Sequence, residues 1–420
     1  MMGVGLAVFA TMPTAAEEVP VAAAASRDAL IETGRESDHL TGDWNGFRTR
    51  LVDRGVHFQF GYIGETMSNV SGGLRGGTSY NGLGEMAVNL DLHQINNAWP
   101  ELLIRASSLW LHGDSPSGQR VGDTQALSNI DAYDSIRLYE LWVERSFATD
   151  RLNVRAGLLL ADAEFTGTEY GGVFFNSAFG WPQWVSANAI NTGPAFFVAA
   201  PGIRLRYVIN PATYIQAAVY DGDSFDDPAG GNPRKNANGT RVHFSTDQGT
   251  FSMYELGHRI NQGKGATGLP GTYKVGAWLH NGRFADTVVA GVTHNNNYGG
   301  YFAGEQKVWR EEGDQGLGVF LRAGWTPRER SAFEFATDFG LNYVGLIPNR
   351  NEDTVGIGVA YAQASQPVTA DYEVVLEITY AFQVRSGLSI QPSLQQVFNP
   401  GAPTKVPDAT VLALRANLTF

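Results

Sequence analysis

The stretch "YEVVLEITYAFQVR", Tyr372 to Arg385, decides the fold class because its apolar and polar side chains alternate. One face takes Tyr372, Val374, Leu376, Ile378, Tyr380, Phe382 and Val384, and the other takes Glu373, Val375, Glu377, Thr379, Ala381, Gln383 and Arg385. A period of two is typical of a β-strand. The run also exceeds the ~9 to 11 residues that a strand needs to cross a bilayer. It therefore predicts a membrane-spanning strand.

The same alternation recurs along the chain, with turn residues between the segments. Examples are "HFQFGYIGE" from His57, "MAVNLDLHQ" from Met86 and "SAFEFATDFGLNYVG" from Ser331. In the last, Phe333, Phe335, Phe339, Leu341 and Tyr343 are predicted on one face, against Glu334, Ala336, Asp338, Gly340 and Asn342. The span from Gly55 to Phe420 accommodates roughly 14 to 18 such strands, and an even number is expected.

The composition of the polar face separates a membrane barrel from a soluble sandwich. A face that meets bulk water is rich in Lys and Glu, whereas here it carries Gly, Ala, Ser, Asn, Gln and isolated charges. Such a face suits a lumen. The sequence thus predicts an all-β, transmembrane antiparallel β-barrel.

The chain ends in mid-strand, on "VLALRANLTF". Phe420, Leu418 and Leu414 share the apolar face of this segment, and Arg415 lies on the polar one. Because a sheet in lipid can have no free edge, we expect this final strand to close the barrel.

Overall composition restricts the partners and the chemistry. Net charge is -12 with a pI near 5.1, so a nucleic acid has no basic surface to bind. Without cysteine the chain has no disulfide or thiolate metal site. No run approaches the ~20 apolar residues of a transmembrane helix.

The amino terminus divides into two predicted segments before the barrel. Residues 1–16 contain a short apolar run and then small residues, which fits the remnant of an export signal or a simple apolar tail. Residues 17–40 read as a flexible or weakly helical lead-in, and 41–420 as the barrel domain.

One region, Ala161 to Pro201, breaks the alternation and is rich in Phe and Trp. It is too aromatic to be disordered, and long irregular loops in compact proteins are usually functional. We expect a loop folded into or over the barrel mouth. It serves either as part of a ligand path or as hydrophobic packing alone.

A search for catalytic or metal-binding patterns finds none. Glu373 and Glu377 would lie ~13 Å apart on one strand face, beyond the ~5 to 9.5 Å of glycosidase carboxylates. The eight histidines have no zinc-binding spacing. The sequence predicts no enzyme activity, no metal and no cofactor.

The strongest candidate site is a set of inward-facing polar and aromatic residues. These are Arg105, Glu140, Trp142, Glu144, Arg155, Arg204 and Arg206. Arginine and glutamate offer donors and acceptors for sugar hydroxyls, and an indole offers its face to a sugar ring. Alternatively, the charges satisfy one another and only set the field of a general diffusion pore.

Several long motifs resemble the carbohydrate-selective porins of the OprB family. They include "LTGDWNGFRTRLVDRGVHF" from Leu40, "VGDTQALSNIDAYDSIRLYELWVERSF" from Val121, "GVFFNSAFGWP" up to Pro182 and "NEDTVGIGVAYAQAS" from Asn351. The resemblance covers the chain from Leu40 to Phe420. It implies a 16-stranded barrel in the outer membrane of a Gram-negative bacterium, in contact with its lipid. Inward-folded loops would form a constriction of arginines and acidic groups.

The resemblance also implies the function and a role for the last residue. Glucose and related sugars, including mono- and disaccharides, would diffuse passively through the lumen. Phe420 would be the signal read by the barrel assembly machinery. Both a monomer and an oligomer fit the sequence. The alternatives are a general diffusion porin, a barrel hydrolase and a soluble periplasmic sugar-binding protein.

Overall fold

The computed structural model describes residues 39–96, 99–147, 151–227, 231–244, 248–262, 266–365, 371–402 and 406–420. The predicted signal remnant at 1–16 and all but the last two residues of the 17–40 segment lie outside the described residues.

Strands dominate the described chain. They are β1 Val56–Ser71, β2 Gly77–Asp91, β3 Leu102–Gly113, β4 Ser135–Phe147, β5 Leu152–Leu159, β6 Ala200–Asn210, β7 Thr213–Asp221, β8 Thr250–Ile260, β9 Gly271–His280, β10 Phe284–Ala285, β11 Thr293–His294, β12 Asn297–Arg310, β13 Gly316–Trp325, β14 Phe333–Val344, β15 Thr354–Ala364, β16 Tyr372–Arg385, β17 Leu388–Phe398 and β18 Ala409–Thr419. The short strands β10 and β11 pair only with each other. The other 16 form a closed antiparallel barrel in which β9 pairs with β12 and β18 with β1. The predicted fold class is confirmed.

Helices are short and lie in the connections. The α-helices are α1 Phe47–Val52, α2 Leu92–Ile95 and α3 Gln183–Ser186; 3-10 turns cover Tyr170–Val173, Ser177–Phe179, Ile190–Thr192, Pro233–Asn236 and Arg328–Arg330, and a π-helical turn covers Ser117–Val121. Within the described ranges, no helix has the length and apolar character required to cross a membrane.

Alternation along the strands separates an apolar outer face from a polar inner one. On β16, Glu373 and Glu377 are fully buried inside, while Ile378 is exposed outside. The outer face carries large apolar side chains on every side of the barrel, among them Phe58, Met86, Val143, Ile203, Leu205, Ile215, Leu256, Val275, Leu321, Phe339, Ile357, Leu394 and Leu414. Such a surface is stable in lipid and not in water.

On β14 the predicted face of one residue is wrong. The register between β14 and β15 shifts between Phe333 and Phe335, which marks a β-bulge. A bulge turns the side chains beyond it to the other face. Phe333 is therefore 5% exposed, within an interior cluster that includes Trp184, whereas Phe335 is 38% exposed outside.

The barrel closes through the first and last strands. Their register runs from Gly61 opposite Thr419 to Ser71 opposite Thr410. Beyond the strand, the Phe420 N–H donates to the Phe60 carbonyl over 2.9 Å, and the two rings lie 4.9 Å apart. The last residue of the chain is thus fixed on the closing seam.

Connections alternate between the two ends of the barrel, and their lengths differ. One end, the short-turn rim, has two-residue turns at 211–212 and 386–387. The other, the long-loop rim, has the long connections 114–134, 160–199 and 222–249. Short turns at one end and long loops at the other are typical of outer-membrane barrels.

The interior is filled largely by the connection 160–199, here called the inner loop. Its aromatic side chains are almost fully buried, namely Phe165, Phe174, Phe175, Phe179, Trp181, Trp184, Phe196 and Phe197. They pack on inward residues such as Tyr220, Phe251 and Trp278 on one side and Phe320 on the other. The inner loop therefore has a hydrophobic core of its own inside the barrel.

Candidate functional site

Cross-strand register brings six of the seven predicted lumen residues into one group, termed the charged ladder. Its members are Arg105, Glu140, Trp142, Glu144, Arg155 and Arg204. Arg105 on β3 lies opposite Trp142 on β4. Glu144 on β4 lies opposite Arg155 on β5, and Arg155 lies opposite Arg204 on β6. Directly opposed residues are close enough for their side chains to interact.

At one end of the ladder, Arg105 is held by two carboxylates. Its Nε donates to Glu140 Oε2 and its Nη2 to Glu85 Oε1, each over 2.8 Å. Its remaining nitrogen donates to Gln59 and Asn89. The guanidinium is therefore bonded to strands β1, β2 and β4, and its position is fixed.

At the other end, Glu144 bridges two arginines. Its Oε2 lies 2.7 Å from Arg155 Nη2 and 2.9 Å from Arg204 Nη2. Arg204 also donates to Asn153. Two guanidiniums around one carboxylate leave excess positive charge, which a buried site must compensate.

The inner loop supplies that compensation through Glu164. This carboxylate forms ion pairs with Arg155 and with Arg204, the latter over 3.1 Å. Although burial alone would raise the pKa of Glu164, the two arginines hold the pKa below its usual value. Ionised Glu164 therefore ties the inner loop to the wall of the barrel.

Trp142 faces inward as predicted, but its ring is not free. The Nε1–H donates to Glu140 Oε1 over 3.0 Å, and the Arg155 guanidinium carbon lies 4.0 Å from the ring centroid. Only 6% of the residue is exposed. One face of the indole is thus covered by a cation, which is a favourable contact. Trp142 therefore connects Glu140, the partner of Arg105, with Arg155 at the other end of the ladder.

The exposed fraction of the side chain differs among the ladder residues and their partner Glu85. The side chains of Arg105, Glu85 and Arg155 are each 14% exposed, whereas those of Glu144 and Arg204 are each 3% exposed. The first three present polar edges to the lumen. Glu144 and Arg204 act behind them, by fixing Arg155 and the inner loop.

Arg206, the seventh predicted residue, stands apart from the ladder. It lies on the same inner face of β6 as Arg204, but its guanidinium carbon is 4.1 Å from the ring centroid of Tyr214 on β7. It makes no ion pair within the described chain.

Sequence reasoning missed Glu85 and Glu164. Glu85 continues the inner face of Ala87, Asn89 and Asp91 on β2, so the alternation itself could have found it. Glu164 lies in a segment without periodicity. The only hint was the surplus of inward arginines on β5 and β6, which called for an acid from elsewhere.

Wall glutamates fasten the inner loop through its backbone. Glu377 on β16 accepts from the N–H groups of Phe175 and Asn176, over 2.9 and 3.0 Å. Glu305 on β12 accepts from the N–H of Glu169 over 2.6 Å. Hydrogen bonds to an ionised carboxylate are roughly twice as strong as neutral ones. These contacts hold the loop on the wall opposite the ladder.

A wall glutamate also holds the connection 114–134 through its backbone N–H groups. Glu373 on β16 accepts from the N–H groups of Thr124 and Gln125, each over 2.9 Å. It also accepts from Gly401 over 2.6 Å. Burial, followed by the nearby Glu373 carboxylate, raises the pKa of Asp123 well above its usual value. Glu373 thus joins the connection 114–134 and the β17–β18 connection to one strand.

Arg322 on β13 binds backbone carbonyl groups of the inner loop, as the wall glutamates bind its N–H groups. It pairs with Asp338 over 2.8 Å and donates to the carbonyls of Thr166, Ala178 and Gly180. None of its side chain is exposed. Wall glutamates therefore bind backbone N–H groups of the inner loop, and a wall arginine binds its backbone carbonyl groups.

No group of His, Cys, Asp or Glu within the described ranges is arranged to hold a metal ion. The aromatic rings of the inner loop are buried against the barrel.

Residues 75–420 match the carbohydrate-selective porin, OprB family. The chain belongs to this family. It is a porin and not an enzyme, and porin relatives imply an outer-membrane location. This agrees with the resemblance inferred from the motifs.

Two curated relatives cover almost the whole chain. Porin B of Pseudomonas aeruginosa is 24% identical over 446 residues, which span 91% of this chain and 92% of Porin B. The putative porin QuiX of Acinetobacter baylyi is 20% identical over 91% of this chain and 93% of its own length.

Solved structures share the fold. The high-pH structure of Pseudomonas putida OprB is 23% identical, with a TM-score of 0.81 over 92% of this chain and 99% of that one. Its low-pH structure gives a TM-score of 0.61 at 21% identity, with the same coverage.

Proposed function

We propose that this porin carries glucose and related monosaccharides passively into a Gram-negative cell, through the outer membrane and past the charged ladder. The observation that supports this most directly is the exposed edge of Arg105, Glu85 and Arg155. It presents donors and acceptors side by side, fixed in place by ion pairs behind them. Vicinal hydroxyls can exchange hydrogen bonds with such an edge.

The contacts are suited to passage more than to retention. Each guanidinium is already bonded to carboxylates, so a sugar gains only a few additional hydrogen bonds. A channel site must release what it admits, and partial engagement of the ladder provides weak binding.

We propose that the outer apolar band contacts outer-membrane lipid, and that Phe420 is read by the barrel assembly machinery. The position of Phe420 on the closing seam supports the second point, because the last strand is the one that pairs with β1 to close the barrel.

Liposome swelling tests the sugar proposal. We expect glucose to enter faster than an amino acid of similar size and faster than a disaccharide. Replacing Arg105 by Ala should remove most of the preference for glucose over the amino acid. The control is Arg283→Ala, an exposed residue in the connection between β9 and β10. Heat-modifiable migration on gels verifies that each variant is folded.

A general diffusion pore is the second candidate. The mutual neutralisation of arginines and glutamates in the ladder favours it, because few donors remain free. In that case swelling rates follow solute size alone, and Arg105→Ala leaves the ratio of glucose to amino acid unchanged.

A further inference from the structure

Two arginines below the ladder share one aromatic ring. Arg206 on β6 and Arg259 on β8 place their guanidinium carbons 4.1 and 5.6 Å from the ring centroid of Tyr214 on β7. Arg206 is two residues beyond Arg204 toward the short-turn rim, which is about 7 Å along the strand. Both arginines are partly exposed.

Neither of these arginines is neutralised. Across the part of the chain that the structure describes, no carboxylate forms an ion pair with Arg206 or Arg259. The Nε of Arg206 is buried without a hydrogen-bond partner among those residues. This contrasts with the ladder, where every arginine has two carboxylates. Two neighbouring, unpaired guanidiniums repel each other.

The acidic residues on this side of the barrel already have other partners. Glu255 on β8 accepts from Tyr214 Oη and Gln216 Nε2, each over 3.0 Å, and from Tyr301 Oη over 2.9 Å. Glu164 is paired with the arginines of the ladder. Among the described residues, Arg206 and Arg259 therefore have no carboxylate of their own in ion-pair contact.

The ring beneath the two arginines is rigidly placed. Tyr214 lies across Gly257 of β8, where a Cβ atom would be 2.2 Å from the tyrosine Cζ. The hydroxyl is fixed by Glu255. Beside it, Gln216 lies opposite Arg206, and its buried Oε1 has no partner in the described residues. The site thus places two cations beside one rigidly held ring.

We propose that Arg206 and Arg259 form an anion subsite that binds the carboxylate of a sugar acid as it leaves the constriction. A carboxylate accepts hydrogen bonds from guanidinium groups, and a planar guanidinium matches its geometry. The inference rests on the proposed sugar function and extends its substrates from neutral sugars to aldonates and uronates.

The test compares Arg206→Ala/Arg259→Ala with Arg206→Lys/Arg259→Lys and with the control Arg283→Ala. Planar bilayers under a sodium gluconate gradient give the permeability of gluconate relative to sodium. Liposome swelling gives the glucose rate of the same proteins. Gel migration confirms that each barrel is folded.

We expect the double alanine variant to lower relative gluconate permeability by about fivefold, since an anion loses two cations that no carboxylate of the described chain pairs with. Glucose swelling should stay within about twofold of the parent rate, because neutral sugars lack the carboxylate. The lysine variant should retain most of the gluconate permeability. If the alanine variant loses chloride permeability and gluconate permeability equally, the two arginines only attract anions in general and the carboxylate subsite is overturned. If the parent protein is more permeable to glucose 6-phosphate than to gluconate, the site is a phosphate site instead.

Unchanged gluconate permeability in the alanine variant overturns the proposal, as does a parallel fall in glucose, which would mean a collapsed lumen. The sugar function fails separately, if the parent protein shows no glucose swelling. A parent that passes gluconate but not glucose would support the subsite and contradict the proposed function.

Discussion

At the scale of single residues, Glu164 joins the inner loop to the charged ladder. It lies in the inner loop, and it forms ion pairs with Arg155 and Arg204 of the charged ladder together. Removing one partner of a buried ion pair leaves an uncompensated charge, which typically costs about 3 to 5 kcal/mol. Here Glu144 still compensates part of that charge, so the effect on stability should lie below this range.

We expect Glu164→Gln to make the pore more selective for anions, because two lumen arginines lose a shared counter-charge. The reversal potential in a potassium chloride gradient measures this directly. Glu169→Gln is the matched control, since Glu169 is an exposed acid of the same inner loop. Equal shifts in the two variants would show that the effect is a general loss of acid and not the release of Arg155 and Arg204.

A second expectation at this scale concerns Trp142. Trp142→Phe removes the hydrogen bond to Glu140 but keeps a ring beneath Arg155. Glucose swelling should therefore fall by less than about twofold, while Trp142→Ala should lower it several-fold because Arg155 loses its support. Identical rates for the two variants would contradict a supporting role for the ring.

At the scale of elements, the inner loop is fastened at widely separated points of the wall. Glu377, Glu305 and Glu255 each accept backbone N–H groups from it. Arg322 holds its carbonyls. Because these strands lie around the barrel, the loop cannot leave the lumen without breaking several charge-assisted contacts.

We expect Glu377→Gln to loosen the inner loop without unfolding the barrel. The carboxylate accepts Phe175 N–H with one oxygen and Asn176 N–H with the other. Glutamine keeps one acceptor oxygen, so one of these bonds becomes a neutral one and the other is lost, since an amide nitrogen cannot accept. Single-channel conductance should rise and become noisier, and limited proteolysis should cut within 160–199. Glu334→Gln, which changes a partly exposed acid on β14, is the control. A quiet conductance equal to that of the parent would show that Glu377 does not restrain the loop.

At the scale of the whole molecule, closure depends on the pairing of β1 with β18. Phe420 adds one hydrogen bond and one ring contact at the end of that seam. Deleting Phe420 should reduce the amount of heat-modifiable barrel in outer-membrane fractions. Phe420→Tyr should preserve it, because the ring and the backbone remain. Equal levels of the deletion and the parent would argue against an assembly signal at this residue.

The sequence predicted the barrel because alternation is a local property that each strand carries by itself. It failed at Phe333, where a bulge changes the face without any mark in the residue pattern. Six ladder residues could be predicted since inner faces follow from the period of two. Glu164 could not, because its position depends on how an irregular segment packs against Arg155 and Arg204.

The role of Glu373 and Glu377 was also beyond the reach of the sequence. Their spacing excluded a catalytic pair but said nothing of the loop N–H groups that they accept. Such contacts join residues more than 200 positions apart, as between Phe175 and Glu377.

The fastening of the inner loop through peptide groups has a consequence for how this channel can change over evolutionary time. Glu377 and Glu305 recognise main-chain N–H groups that nearly every residue type provides. The side chains at the anchored positions can therefore be exchanged while the anchor persists. Substitutions at exposed positions of the loop, such as Ala163 and Glu169, can therefore change the selectivity of the channel while the backbone of the loop keeps its place in the barrel.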